Sequence, residues 1–266
     1  MKSTLAPVVL AVALALGGCA GAPGVPSGAA TISRPMSDTN PATPADARAR
    51  VHVELGMAYF EVGRYDVAID EAKVALTDSP SYAPAYHLLG LAFMYVEEHG
   101  AARENFERAL REAPGDPDFN NSYGWFLCSQ GQEREGLERL AVSARNPYYR
   151  HQTRPLTNAG LCHLRLGEEA AAEAQFQRAA QADPANAQAL YLLADIAYRG
   201  GRYEQARSQL IQLHQAHGPS AASAWLGLRT ERRLGNADAE ASYAAQLRSR
   251  FAESEEFKSM TQGKFE

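Results

Sequence analysis

Residues 83–116 read APAYHLLGLAFMYVEEHGAARENFERALREAPGD, and the spacing of small and large residues in this stretch decides the fold. The spacing predicts two short amphipathic helices, separated at His99-Gly100 and closed by Pro114. Small residues, Gly90, Ala102 and Ala109, fall where two helices must approach closely. Tyr86, Leu89, Phe93 and Phe106 supply the bulk between them. Alanine, leucine, glutamine, glutamate and arginine are plentiful in the rest of the chain, and β-branched residues are sparse, which favours helix throughout.

Laid along the sequence in steps of about 34 residues, the same pattern recurs. A first copy from about Ala49 has Leu55-Gly56, Tyr59, Ala68, Ala75 and Pro80, with a turn at Gly63-Arg64-Tyr65. A third from Pro117 has Tyr123-Gly124, Leu127, Gly131, Gly136 and Leu140, and ends weakly at Asn146-Pro147-Tyr148-Tyr149, where two extra residues break the register. A fourth near Thr153 has Ala159-Gly160, Gly167, Ala172, Phe176 and Pro184. A fifth near Ala187 has Leu193-Ala194, Gly201-Arg202-Tyr203 and Leu210, and a looser sixth has Leu226-Gly227, Gly235, Ala239 and Tyr243. This period and residue pattern resemble the tetratricopeptide repeat (TPR). The expected fold is all-α, an α-α superhelix of about six repeats over residues 46–253, with 254–266 as a capping helix or a frayed end. An irregular helical bundle is the alternative.

The N-terminus reads differently. Residues 1–18 carry Lys2 and then an apolar run from Leu5 to Leu16, too short to span a membrane, and read as an export signal. The run ends Leu16-Gly17-Gly18-Cys19, which resembles the lipobox of bacterial lipoproteins. The resemblance implies cleavage before Cys19 and acylation of that residue. Ala20, in place of an aspartate, implies the outer membrane. An ordinary signal peptide with an incidental cysteine is the alternative. Residues 19–45 are rich in Gly, Pro, Ser, Thr and Ala, and read as a flexible linker between lipid and body.

The net charge of −5 argues against a nucleic-acid partner. The seven histidines are not grouped with carboxylates or cysteines at ligand spacing, and His214 and His217 read as solvated. Cys162 and His163 are neighbours whose side chains diverge on a helix, so they do not make a nucleophile–base pair. The glycines fall at turns and helix contacts, with no phosphate-binding loop. Neither an enzyme nor a cofactor, metal or small-molecule substrate is expected. Cys128 and Cys162 lie one repeat apart, late in the first helices of neighbouring repeats. In an exported protein that placement suggests a disulfide. Two buried free thiols are the alternative if register slip separates them.

In TPRs the first helices line a concave groove. The corresponding positions here hold Met57, Phe60, His87, Leu91, Met94, Tyr95, Asn121 and Trp125, with Val53 beside them. Tyr191, Asp195, Tyr198, Arg199, Glu231 and Arg232 make a more charged half further on. Exposed apolar and aromatic surface of this kind marks a protein partner; packing of some of these residues, Met57, Leu91, Tyr95 and Trp125 among them, against the neighbouring repeat or the N-terminal segment is the alternative. The groove lacks the lysine and asparagine set that clamps a terminal carboxylate.

Residues 120–128, NNSYGWFLC, together with 158–162, NAGLC, and Ala241-Ser242-Tyr243 leading to Gln246-Leu247-Arg248, make the chain similar to the type IV pilus biogenesis and stability lipoprotein family, PilF/PilW. It departs from that family at Ala252, where a proline is expected, and at Gly17, where alanine or serine is commoner. The resemblance implies a pilotin-like outer-membrane lipoprotein that helps the pilus secretin subunit reach the outer membrane and multimerise. The rival reading is a periplasmic TPR adaptor lipoprotein that docks cell-wall hydrolases or other envelope complexes.

Overall fold

The computed structural model describes residues 32–265. The expected signal peptide, Cys19 and the linker as far as residue 31 lie outside the described residues. The body is all-helical, as the residue pattern requires. Its hairpins are α1 (Pro44–Glu61) with α2 (Tyr65–Asp78), α3 (Ala83–Tyr95) with α4 (His99–Glu112), α5 (Pro117–Ser129) with α6 (Glu133–Ala144), α7 (Thr153–Arg165) with α8 (Glu169–Ala182), α9 (Ala187–Arg199) with α10 (Tyr203–His217), and α11 (Ala221–Leu234) with α12 (Ala237–Arg250). A short α13 (Glu255–Thr261) follows. Each helix packs against its hairpin partner and the next hairpin. First helices also touch across hairpins, α1 on α3, α3 on α5 and α5 on α7, so they form one layer and the second helices the other. The result is a solenoid.

The turn inside each hairpin uses one residue with left-handed backbone: Gly63, Glu97, Gly131, Gly167, Gly201 and Gly235. These recur every 34 residues, apart from a step of 36 between Gly131 and Gly167. The second hairpin corrects the sequence expectation. Its turn lies at residues 96–98, with Glu97 at φ 63°, and His99-Gly100 opens α4. A glutamate occupies the left-handed slot, so the glycine three residues on gives a misleading turn signal.

In the second, fourth and sixth hairpins close approach is set by a glycine facing an aromatic ring, and in the third by Gly124 facing Leu140. A Cβ on Gly90 would lie 2.7 Å from Phe106, one on Gly160 2.3 Å from Phe176, and one on Gly227 2.6 Å from Tyr243. The fifth hairpin makes the opposite choice, with Ala194 packed in the same buried cluster as Leu210. Cys128 and Cys162 bring the third and fourth hairpins together as a pair, with Cα atoms 5.6 Å apart. Gly136 makes room for that pair, since a Cβ there would meet Cys128 Sγ at 2.5 Å.

Three local readings change. Helix α1 starts before Ala49, because Thr43 and Asp46 form a reciprocal capping box with Pro44 at the first helical position. The weak ending of the third repeat is an ordered loop, in which Tyr149 is only 2 % exposed and Asn146 is buried. Finally, the linker does not run free to residue 45. Residues 33–39 fold back onto the body: Met36 N–H donates to Asp116 Oδ2 at 2.7 Å, Asn146 Nδ2 donates to Ser33 C=O at 2.8 Å, and Arg150 pairs with Asp38 at 3.3 Å. Low hydrophobicity predicts no docking for this stretch. It docks through main-chain hydrogen bonds, and through Pro35 and Met36, rather than through a periodic apolar face.

The C-terminal residues form a cap. α13 packs on α11 and α12. Gly263, at φ 70°, ends it in a Schellman turn, with Gly263 N–H to Met260 C=O at 3.1 Å and Lys264 N–H to Ser259 C=O at 3.0 Å. That turn sends Phe265 onto Trp225 (ring centroids 5.5 Å) and under the guanidinium of Arg232 (3.9 Å).

Candidate functional site

The inner faces of α1, α3 and α5 enclose a cleft of about 720 Å³. Six of the eight groove residues chosen from sequence line it: Met57, Phe60, His87, Leu91, Tyr95 and Asn121, with Val53. Helical periodicity puts them there, because residues three and four apart on successive first helices share one face. Two of the eight do not line it. Met94 packs against the buried core of the first three hairpins. Trp125 packs beside the cluster of Cys128, Leu140, Ala159 and Cys162, so it supports the paired cysteines instead of facing a partner.

The cleft has an aromatic end and a polar end. Phe60, Tyr65 and Tyr95 meet at centroid distances of 5.1–5.3 Å, and Tyr95 remains 55 % exposed. Such a cluster offers rigid apolar area at low entropic cost. In the middle, His87 bonds Ser122 Oγ at 2.9 Å and lies against the Phe119 ring at 4.7 Å. Burial lowers its pKa to about 3, so the imidazole is neutral and part of the wall. At the polar end, Asp116 caps α5: Oδ1 accepts from Asp118 N–H and Phe119 N–H at 2.9 and 3.1 Å. Burial pushes its carboxyl up to about 6, although the three backbone N–H groups on it pull the other way. Burial also raises the pKa of Asp118.

Sequence reading missed Asp116, Asp118, Arg50 and Arg154, which supply the charged lining, and Met36 and Ser37, which arrive from the N-terminal segment. An Asp-Pro pair opening a helix was the available signal for Asp116 as a cap. Nothing periodic announces a partner 80 residues away.

In the more charged half, several side chains are tied into pairs. Arg199 is paired with Asp195 at 2.9 Å and with Glu169 at 2.7 Å. Glu231 is buried and turned toward α10, where Arg207 holds both its oxygens at 2.7 and 3.0 Å. Arg229, not singled out from sequence, lies over Tyr198 and Trp225 at 4.8 and 5.5 Å. His214 is not solvated. It is half-buried, bonded to Ser223 Oγ at 2.9 Å and to the Tyr243 hydroxyl at 3.2 Å, and burial lowers its pKa.

A solenoid of helical hairpins with an apolar inner cleft defines a helical-repeat scaffold, and comparison with known families agrees on the fold. The tetratricopeptide repeat model matches residues 87–145, 157–222 and 191–255, and the chain belongs to that family. It is homologous to the type IV pilus assembly protein PilF of Pseudomonas aeruginosa, with 28 % identity over 197 residues that cover 74 % of this chain and 78 % of the relative. In fold it matches the crystal structure of PilW, a widely conserved type IV pilus biogenesis factor, with a TM-score of 0.73 and 27 % identity over 80 % of this chain and 98 % of that one. The structure of Pseudomonas aeruginosa PilF matches with a TM-score of 0.75 and 26 % identity over 83 % of this chain and all of that one.

Proposed function

We propose that this chain is a non-catalytic, lipid-anchored outer-membrane scaffold of type IV pilus biogenesis, whose inner cleft holds the pilus secretin subunit during delivery and ring assembly. The observation that carries the reading is the cleft itself, apolar and aromatic at one end and open to a partner, in a chain homologous to PilF over three quarters of its length. An unassembled secretin subunit presents apolar surface and unpaired strand edges that aggregate. A cleft tethered through acylated Cys19 meets that surface at high effective concentration beside the target bilayer. An oxidised Cys128–Cys162 pair belongs to the same reading, since the periplasm is an oxidising compartment.

The test uses cells carrying Tyr95→Ala with Met57→Ala. Detergent-resistant secretin multimers should fall several-fold, while the protein keeps its helical spectrum and its amount. Trp125→Ala, outside the cleft, should leave the multimers intact. Unaltered multimers in the double variant would refute this use of the cleft. Recovery of cell-wall hydrolases in place of secretin from solubilised outer membrane would favour the adaptor role.

A further inference from the structure

Residues 33–39 lie across the polar end of the cleft and show what the cleft can hold. Three of their contacts are to main chain: Met36 N–H on Asp116 Oδ2 (2.7 Å), Ser33 C=O on Asn146 Nδ2 (2.8 Å) and Thr39 C=O on the Arg50 guanidinium (3.4 Å). Contacts to main chain read the path of a backbone whatever its sequence, here an extended Pro35 that enters a single 3-10 turn at Met36–Asp38. Selectivity comes from two side chains. Pro35 is buried in an extended, polyproline-like conformation (φ −52°, ψ 137°), and Met36 packs against the core of the first hairpins. Proline holds that conformation before binding, which reduces the ordering cost.

The seat is built for a donor. Asp116 is 1 % exposed, and capping of α5 uses only Oδ1, so Oδ2 requires an N–H from outside the helix. The remaining contacts of the segment are peripheral: Arg150 with Asp38, and Arg34 over Tyr148 at 4.8 Å, all near solvent. Pairs of that kind hold weakly, so the segment can leave while the seat persists.

We infer that residues 33–39 are a resident competitor for the cleft, which takes from its partner a segment with an extended proline leading into a tight turn that opens on a methionine-sized apolar residue, whose N–H replaces that of Met36 on Asp116. The inference rests on the reading of the cleft as the partner site and adds the chemistry of the bound segment and a built-in control on access.

The probe is a fluorescein-labelled peptide, ISRPMSDTNP, copied from residues 32–41. Fluorescence anisotropy measures its binding to the full chain, to Met36→Asp and to Met36→Gly, the last opening the seat without a new charge. Both variants should bind at least tenfold more tightly than the unaltered chain. Adding Asp116→Asn, which keeps one capping oxygen but replaces the other acceptor with a donor, should lower that affinity at least tenfold. Saturating peptide should also speed amide exchange at Met36 of the unaltered chain. Equal affinity for opened and unaltered chains, no uptake by either opened chain, or indifference to Asp116→Asn each overturns the inference. The pilus reading fails separately: peptide exchange as expected with normal secretin multimers in the Tyr95/Met57 variant would sink that reading and leave this one standing.

Discussion

Glu97 occupies a slot that the other five hairpin turns give to glycine. Left-handed backbone costs an L-residue about 1–2 kcal/mol, and glycine's extra freedom in the unfolded chain returns roughly 0.5–1 kcal/mol of that. Glu97→Gly should therefore stabilise the chain by about 0.5–1 kcal/mol, raising the melting temperature by roughly 1–4 °C. Urea unfolding followed by circular dichroism checks this, and an unchanged or lower midpoint would contradict it. The same residue shows where sequence reading stops. Periodicity places the second hairpin but misplaces its turn, because the marker glycine is absent and another stands three positions on. Asp116 shows the converse limit. Its role as a cap was legible in Asp116-Pro117, but its bond to Met36 joins positions 80 residues apart that share no pattern.

Among elements, the hairpin is a matched pair of volumes. Where the second helix brings Phe106, Phe176 or Tyr243, the first has glycine; where it brings Leu210, the first has Ala194. Adding a methyl at Gly160 drives a Cβ into the fully buried Phe176 ring, so Gly160→Ala should cost roughly 1–3 kcal/mol. Combining it with Phe176→Leu recreates the pairing of the fifth hairpin and should restore part of the loss. An additive double variant in denaturant titration would show that the two volumes are not coupled. This level was the most readable from sequence, since it depends on residue size at fixed spacing. The loop at residues 145–152 was not. Tyr149 and Asn146 are buried there by contacts with other segments, and outside the repeat register a buried tyrosine looks like any other.

At the scale of the whole molecule, the C-terminal end of the array is finished differently from its middle. The last hairpin is covered by α13 and by Phe265, which close over Trp225 beside Leu228 and Leu247. A terminal repeat without such a cover leaves apolar surface shaped for another helix. Removing residues 254–266 should move the chain toward higher association states in sedimentation velocity as concentration rises, relative to the full chain. A truncated chain that sediments like the full one would mean that the tail is dispensable for closure. The eight candidate positions also divide at this scale. Six converge on one cleft, while Met94 and Trp125 face packing that only neighbouring hairpins create.

Because the C-terminal extremity carries a made-to-measure closure of α13 and Phe265, this array cannot gain or lose a unit at that end without rebuilding it. The junction between Gly131 and Gly167, although two residues out of step, is guarded as well, because it carries the Cys128–Cys162 pair and the Asn146 bond to Ser33.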